Sequence, residues 1–146
     1  MLKHHNDTPL VPKRTVVLGA AGFIGQTLVN RLSTTDVDLV SLTRQDLDLE
    51  TPAAANQLTE LLHKDDTLVF ISAKAPVRDV SMLTANLRMA ETVVEAVSRQ
   101  VVAHVIYVSS DAVYHDSTEP LTEDSPTSPG SLHGVMHLAR ELALTQ

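Results

Sequence analysis

Glycines at positions 19, 22 and 25, in the run Val16-Val17-Leu18-Gly19-Ala20-Ala21-Gly22-Phe23-Ile24-Gly25, fall where an apolar stretch stops being a strand and starts being a helix. A backbone that must turn sharply out of a strand, approach a charged group closely and let the next helix pack on a sheet has no room for a Cβ at such points. The run therefore predicts a phosphate-binding turn. The N–H groups of Phe23, Ile24 and Gly25, opening a helix expected over residues 23–33, would face negative charge at the positive end of the helix dipole. The spacing is GxxGxxG, not GxGxxG, and on its own it also describes a plain strand-to-helix turn.

The remaining pattern supplies a frame for that turn. Residues 14–18 and 38–43 read as short buried strands on either side of the first helix, a βαβ unit. Thr51-Pro52 resembles a helix N-cap with proline at the first helical position, leading into residues 53–63. Residues 67–72 read as a strand, and residues 81–99 place Leu83, Asn86, Leu87, Ala90, Val94 and Val97 on one helical face. A strand over residues 103–108, a loop over 116–130 with Pro120, Pro126 and Pro129, and a helix over 131–144 complete the chain. Strands alternating with helices across short links predict an α/β fold with a doubly wound parallel sheet, its ligand lying beyond the carboxyl ends of the strands where their order reverses. Residues 1–13, polar and carrying Pro9 and Pro12, are expected to form a disordered tail ahead of one domain over residues 14–146.

Charge and composition narrow the partner. A net charge of −7 and a pI near 5.3 argue against nucleic acid or an anionic membrane surface, leaving a small molecule. The absence of cysteine excludes disulfides, thiolate metal sites and a cysteine nucleophile. No apolar run is long enough to span a membrane and the opening residues lack a secretory pattern, so a cytoplasmic location is expected. About twenty residues beyond the glycines, where an acidic side chain would bond the ribose of NAD, stands Thr43-Arg44; an arginine there pairs with the 2′-phosphate of NADP, so NADP is favoured over NAD. Lys74, after the strand over residues 67–72, is placed to touch phosphate, but an exposed loop lysine is the first expectation.

Further motifs follow the glycine turn in order: Asp46-Leu47-Asp48-Leu49, residues 66–73 ending in Ser72-Ala73, residues 86–96 starting with Asn86, and Tyr107-Val108-Ser109-Ser110-Asp111-Ala112-Val113-Tyr114. With them the chain resembles the extended short-chain dehydrogenase/reductases, also described as the NAD-dependent epimerase/dehydratase family. That resemblance implies a Rossmann-type fold binding a dinucleotide and acting on a sugar by hydride transfer. It also implies a short third strand over residues 46–49, adenine contacts from Asp48 and Leu49, cofactor contacts from Ser72 and Ala73, and a catalytic hydroxyl on Ser110, with Asp111 as a further candidate.

The resemblance breaks where the chemistry should be. The family expects Tyr-x-x-x-Lys at the start of the last helix, and His133 and His137 stand at those positions within residues 131–141. An imidazole titrates near neutrality, so His133 is able to exchange a proton with a substrate hydroxyl or carbonyl, while a mostly neutral His137 replaces a lysine cation. A site that has lost its chemistry and binds nucleotide only is the alternative. His133, His137 and Glu141 share one helical stripe, but without a further ligand no metal is expected. Family members usually continue well beyond this point, so the chain is expected to be an amino-terminal part, with the sheet incomplete on its C-terminal side and a substrate domain absent. The apolar face of the last helix then makes a homodimer a further expectation.

Overall fold

The computed structural model describes residues 11–145, so most of the expected tail lies outside the described residues. In chain order the elements are β1 (Arg14–Leu18), α1 (Phe23–Leu32), β2 (Asp38–Leu42), α2 (Ala54–Leu61), β3 (Asp66–Phe70), α3 (Val80–Arg99), β4 (His104–Tyr107), a 3-10 turn (Asp111–Val113) and α4 (Leu132–Leu144). The four strands are parallel in the order β2-β1-β3-β4. The chain steps from β1 to one side and then crosses to the other, so the order reverses between β1 and β3. Register sets Leu18 opposite both Leu42 and Phe70, which brings the carboxyl ends of these three strands level.

Period-two alternation divides the strand side chains between two faces. Val16, Leu18, Leu68 and Phe70 pack with Leu58 of α2 and with Met89, Ala90, Val93 and Ala96 of α3. Val17 and Val69 turn the other way, against Leu28 and Val29 of α1. Helices thus cover both faces, as a doubly wound Rossmann-type sheet requires. At the amino ends of the strands the Asp66 carboxylate, 1% exposed, accepts from Arg14 Nε at 2.7 Å, Arg14 Nη2 at 2.6 Å and the His63 N–H at 2.7 Å. This bidentate pair pins β1 to β3 at the end remote from the glycine turn.

Local expectations are corrected in three places. Residues 46–49 form turns instead of a strand, because the Asp46 carboxylate accepts from the Thr43 N–H at 2.9 Å and the Thr43 hydroxyl at 2.6 Å and so closes the backbone locally. Leu47 and Leu49 are nonetheless buried. Thr51 does not cap α2: its hydroxyl donates to the Asp48 carbonyl at 2.9 Å, and the N-cap position falls to Ala53. The buried stripe of α3 is rotated to Ala85, Asn86, Met89, Ala90, Val93 and Ala96, leaving Leu87 exposed, because the small alanines let the helix come close to the sheet.

Candidate functional site

Beyond the carboxyl ends of β2, β1 and β3 lies a cleft of about 270 Å³. Gly19 leaves β1 with φ +97°, a left-handed conformation, and a Cβ on it would sit 2.7 Å from the Ser72 backbone nitrogen. Gly25 serves packing: a Cβ there would lie 2.1 Å from the Gly19 carbonyl oxygen. No side chain caps α1 at Gly22, so the N–H groups of its first turn are left for a ligand. Phe23 (91% exposed) and Ile24 (51% exposed) carry their side chains at the surface and do not line the cleft. Gly19, Gly22, Arg44, Asp48, Leu49, Ser72 and Ala73 all line the cleft, whereas Gly25 lies behind the turn.

Two cations and two carboxylates mark one end of the cleft. Arg44 Nε donates to Asp48 at 3.1 Å, and its Nη2 lies 3.4 Å from Glu50 Oε1. Lys74, expected as an exposed loop lysine, is half-buried and pairs with Glu50 at 2.6 Å. Asn86, fully buried, fixes the Lys74 backbone by accepting from its N–H and donating to its carbonyl, both at 3.0 Å. The turn places Asp48 too: its carboxylate accepts from the Glu50 N–H, and that bond, together with Arg44, holds its pKa below the usual value.

Ser110 and Asp111 open the 3-10 turn after β4, where the Ser110 hydroxyl accepts from the Ala112 N–H and donates to Asp111, both at 3.2 Å. Helix α4 begins with Ser131 accepting from the Gly134 N–H, and Gly134 lies so close to the Ala112 carbonyl that a Cβ would stand 2.0 Å from it. This contact packs the start of α4, where His133 lies, on the 3-10 turn. The His133 and His137 rings meet edge to face at 4.7 Å, and His133 Nδ1 is buried without a partner. His137 is 6% exposed, with Nδ1 2.6 Å from the Tyr107 hydroxyl. Glu141 completes no ligand set with the histidines, since it accepts from the Ser109 hydroxyl. Among the described residues no group of three or more potential metal ligands is found.

Arg140 and Glu50 are structural members of the site that sequence reading did not single out, while Asn86, expected on the packed face of its helix, is buried there. Arg140, fully buried, donates to the carbonyls of Asn86 at 3.1 Å and Ser72 at 2.9 Å, with its guanidinium 4.4 Å from the Phe70 ring centre. It ties α4 to the floor of the cleft. Its signal was available: it follows His133 by seven residues and Met136 by four, on the buried stripe of α4.

A glycine turn of this geometry at the reversal of a parallel sheet, facing a cleft, defines a dinucleotide-binding α/β domain. The chain belongs to the NAD dependent epimerase/dehydratase family, whose model matches residues 15–146. It is 30% identical over 128 residues to a probable dTDP-4,6-dihydroxy-2-methyloxan-3-one 4-ketoreductase of Streptomyces antibioticus, covering 83% of this chain and 43% of that protein. The structure of MoeE5 in complex with UDP-glucose and NAD is similar with a TM-score of 0.76 and 28% identity, covering 90% of this chain and 48% of the other. A Bacillus cereus UDP-glucuronic acid 4-epimerase, solved with NAD and a fluorinated UDP-sugar, shares the fold at TM-score 0.76 and 23% identity, with coverage of 90% and 51%. The chain spans about half the length of these relatives or less. No helix among the described residues is long and apolar enough to cross a membrane.

Proposed function

We propose that this chain is the NAD(P)-binding part of an enzyme that acts on a nucleotide-linked sugar by hydride transfer, with NADP favoured. The observation that carries this reading is the Gly19–Gly25 turn, whose missing Cβ atoms let the backbone turn tightly against Ser72 and Gly19 beside the cleft at the reversal point between β1 and β3. Phosphates rest on the N–H groups opening α1, Asp48 and Leu49 meet the adenosine end, Ser72 and Ala73 the ribose beside Gly19, and Arg44 the 2′-phosphate. When bound, the nicotinamide supplies or accepts the hydride. Ser110 polarises the reacting oxygen once its hydroxyl turns from Asp111 to the substrate, His133 moves the proton, and His137 stands uncharged behind His133. A cytoplasmic location is part of this reading, as is pairing of two chains through α4, which leaves Val135 and Leu142 exposed.

A titration of the purified chain with NADPH and with NADH, followed by turnover with UDP-glucose as a probe, tests it. Saturable binding that is tighter for NADPH is expected, with turnover lost in Ser110→Ala and His133→Ala while binding stays. Absence of binding to both cofactors overturns the reading. A second reading, a nucleotide-binding module without chemistry, draws on the burial of His137 against Tyr107, which keeps this imidazole neutral where a lysine cation was expected. Hydride transfer by the pure chain excludes this alternative.

A further inference from the structure

We infer that Glu50 moderates the cofactor preference of this cleft, by pairing with the two cations that a 2′-phosphate would otherwise engage. The inference rests on the cofactor reading above and goes beyond it in naming the residue that opposes the phosphate. Arg44 follows β2 and Lys74 follows β3, on opposite sides of the glycine turn. Glu50 reaches both, at 3.4 Å and 2.6 Å, and its carboxylate is 20% exposed while Arg44 is 66% exposed. All three line the cleft.

Asp48 holds Arg44 as well, its Oδ2 accepting from Nε at 3.1 Å while Oδ1 serves the Glu50 N–H, but Glu50 is the carboxylate that pairs with both Arg44 and Lys74. The Glu50 carboxylate has no such backbone duty: it accepts from Lys74 Nζ at 2.8 Å and forms an ion pair with Arg44 at 3.4 Å. Lys74 is held in place through its backbone by Asn86, so the ammonium stays near the cleft when its carboxylate partner is removed. A dianionic 2′-phosphate entering here must displace Glu50 from two cations or accept its repulsion, whereas the 2′-hydroxyl of NAD meets neither demand. Glu50 therefore holds the preference for NADP below the level that Arg44 and Lys74 alone would produce. Because both ion pairs are partly solvated, the penalty it imposes is modest and weakens with salt.

The experiment compares NADPH and NADH affinities of the wild-type chain, Glu50→Gln, Lys74→Met and the double variant at low and at high salt, with melting temperature as the check on folding. Glu50→Gln is expected to bind NADPH about three- to ten-fold more tightly with NADH little changed, and the gain should shrink at high salt. In the double variant much of that gain should vanish, since one of the two released cations is gone. An unchanged NADPH-to-NADH ratio in folded Glu50→Gln, with both cofactors bound, overturns the role of Glu50 and leaves the cofactor site standing. Failure of every variant and of the wild type to bind either cofactor overturns both.

Discussion

The Tyr107 hydroxyl and His137 Nδ1 lie 2.6 Å apart, joining β4 to α4 through a single hydrogen bond in the interior. Burial raises the pKa of the phenol, so it stays protonated. Burial, reinforced by His133 and by the Arg140 cation, lowers that of the imidazole from 6.5 to about 4, so His137 is neutral at pH 7.

That shift makes stability depend on pH with a definite sign. An unfolded histidine takes up its proton near pH 6.5, the folded one only at about 4, so acid favours unfolding across that interval. The stabilisation is complete above pH 6.5 and falls by about 3 kcal/mol as the pH drops to 4. Urea midpoints measured at pH 7, 5.5 and 4.5 should decline in this order, and His137→Gln should flatten the decline. A level midpoint in the wild-type chain would contradict the burial of His137.

The Arg14–Asp66 pair should dominate the stability of the sheet. Asp66→Ala leaves a guanidinium that is 16% exposed without its anion and the His63 N–H without its acceptor, and should cost about 3–5 kcal/mol. Since the Asp66 pKa is held down by Arg14 and the His63 N–H against the opposing effect of burial, its contribution is present above the ordinary carboxylate value and lost as the pH falls below it. Denaturation of the variant at pH 7 by urea measures the loss, and a change under 1 kcal/mol would show the pair to be idle.

Gly25→Ala should abolish cofactor binding while Gly22→Ala weakens it far less. The first puts a Cβ 2.1 Å from a backbone carbonyl that cannot yield without moving the turn; the second meets the same oxygen at 3.4 Å. The strain in the first is expected to cost about 1–3 kcal/mol, read from its melting curve. Equal affinities for NADH in the two variants would refute the distinction.

Arg140→Ala removes a buried cation together with the donors to the Asn86 and Ser72 carbonyls. It should destabilise the protein by about 3 kcal/mol or more. Amide exchange should quicken at Ser72 and Asn86 before it does in β1, and uniform quickening would assign the loss to the core alone.

Much of the fold was legible because its signals are local. The β-branched residues of β1, the glycine turn and the loop prolines speak for themselves, and element ends fell within a few positions of expectation. Residues 46–49 misled because an Asp side chain bonding to a backbone N–H three residues back looks, in sequence, like any acidic residue in a strand. The Asn86–Lys74–Glu50 chain of contacts was invisible for another reason. It joins residues 12 and 24 positions apart, and only the packing of α3 on β3 brings them together. Arg140 was hidden by expectation: a charge on a terminal helix is ordinarily taken for a solvated one.

The Arg14–Asp66 clasp and the glycine turn sit at opposite poles of the same two strands. Robustness and recognition are therefore set at separate addresses, so hardening the protein against heat at the lower pole leaves the upper one free to be retuned for another ligand. A directed-evolution campaign can fix one pole first and then diversify the other.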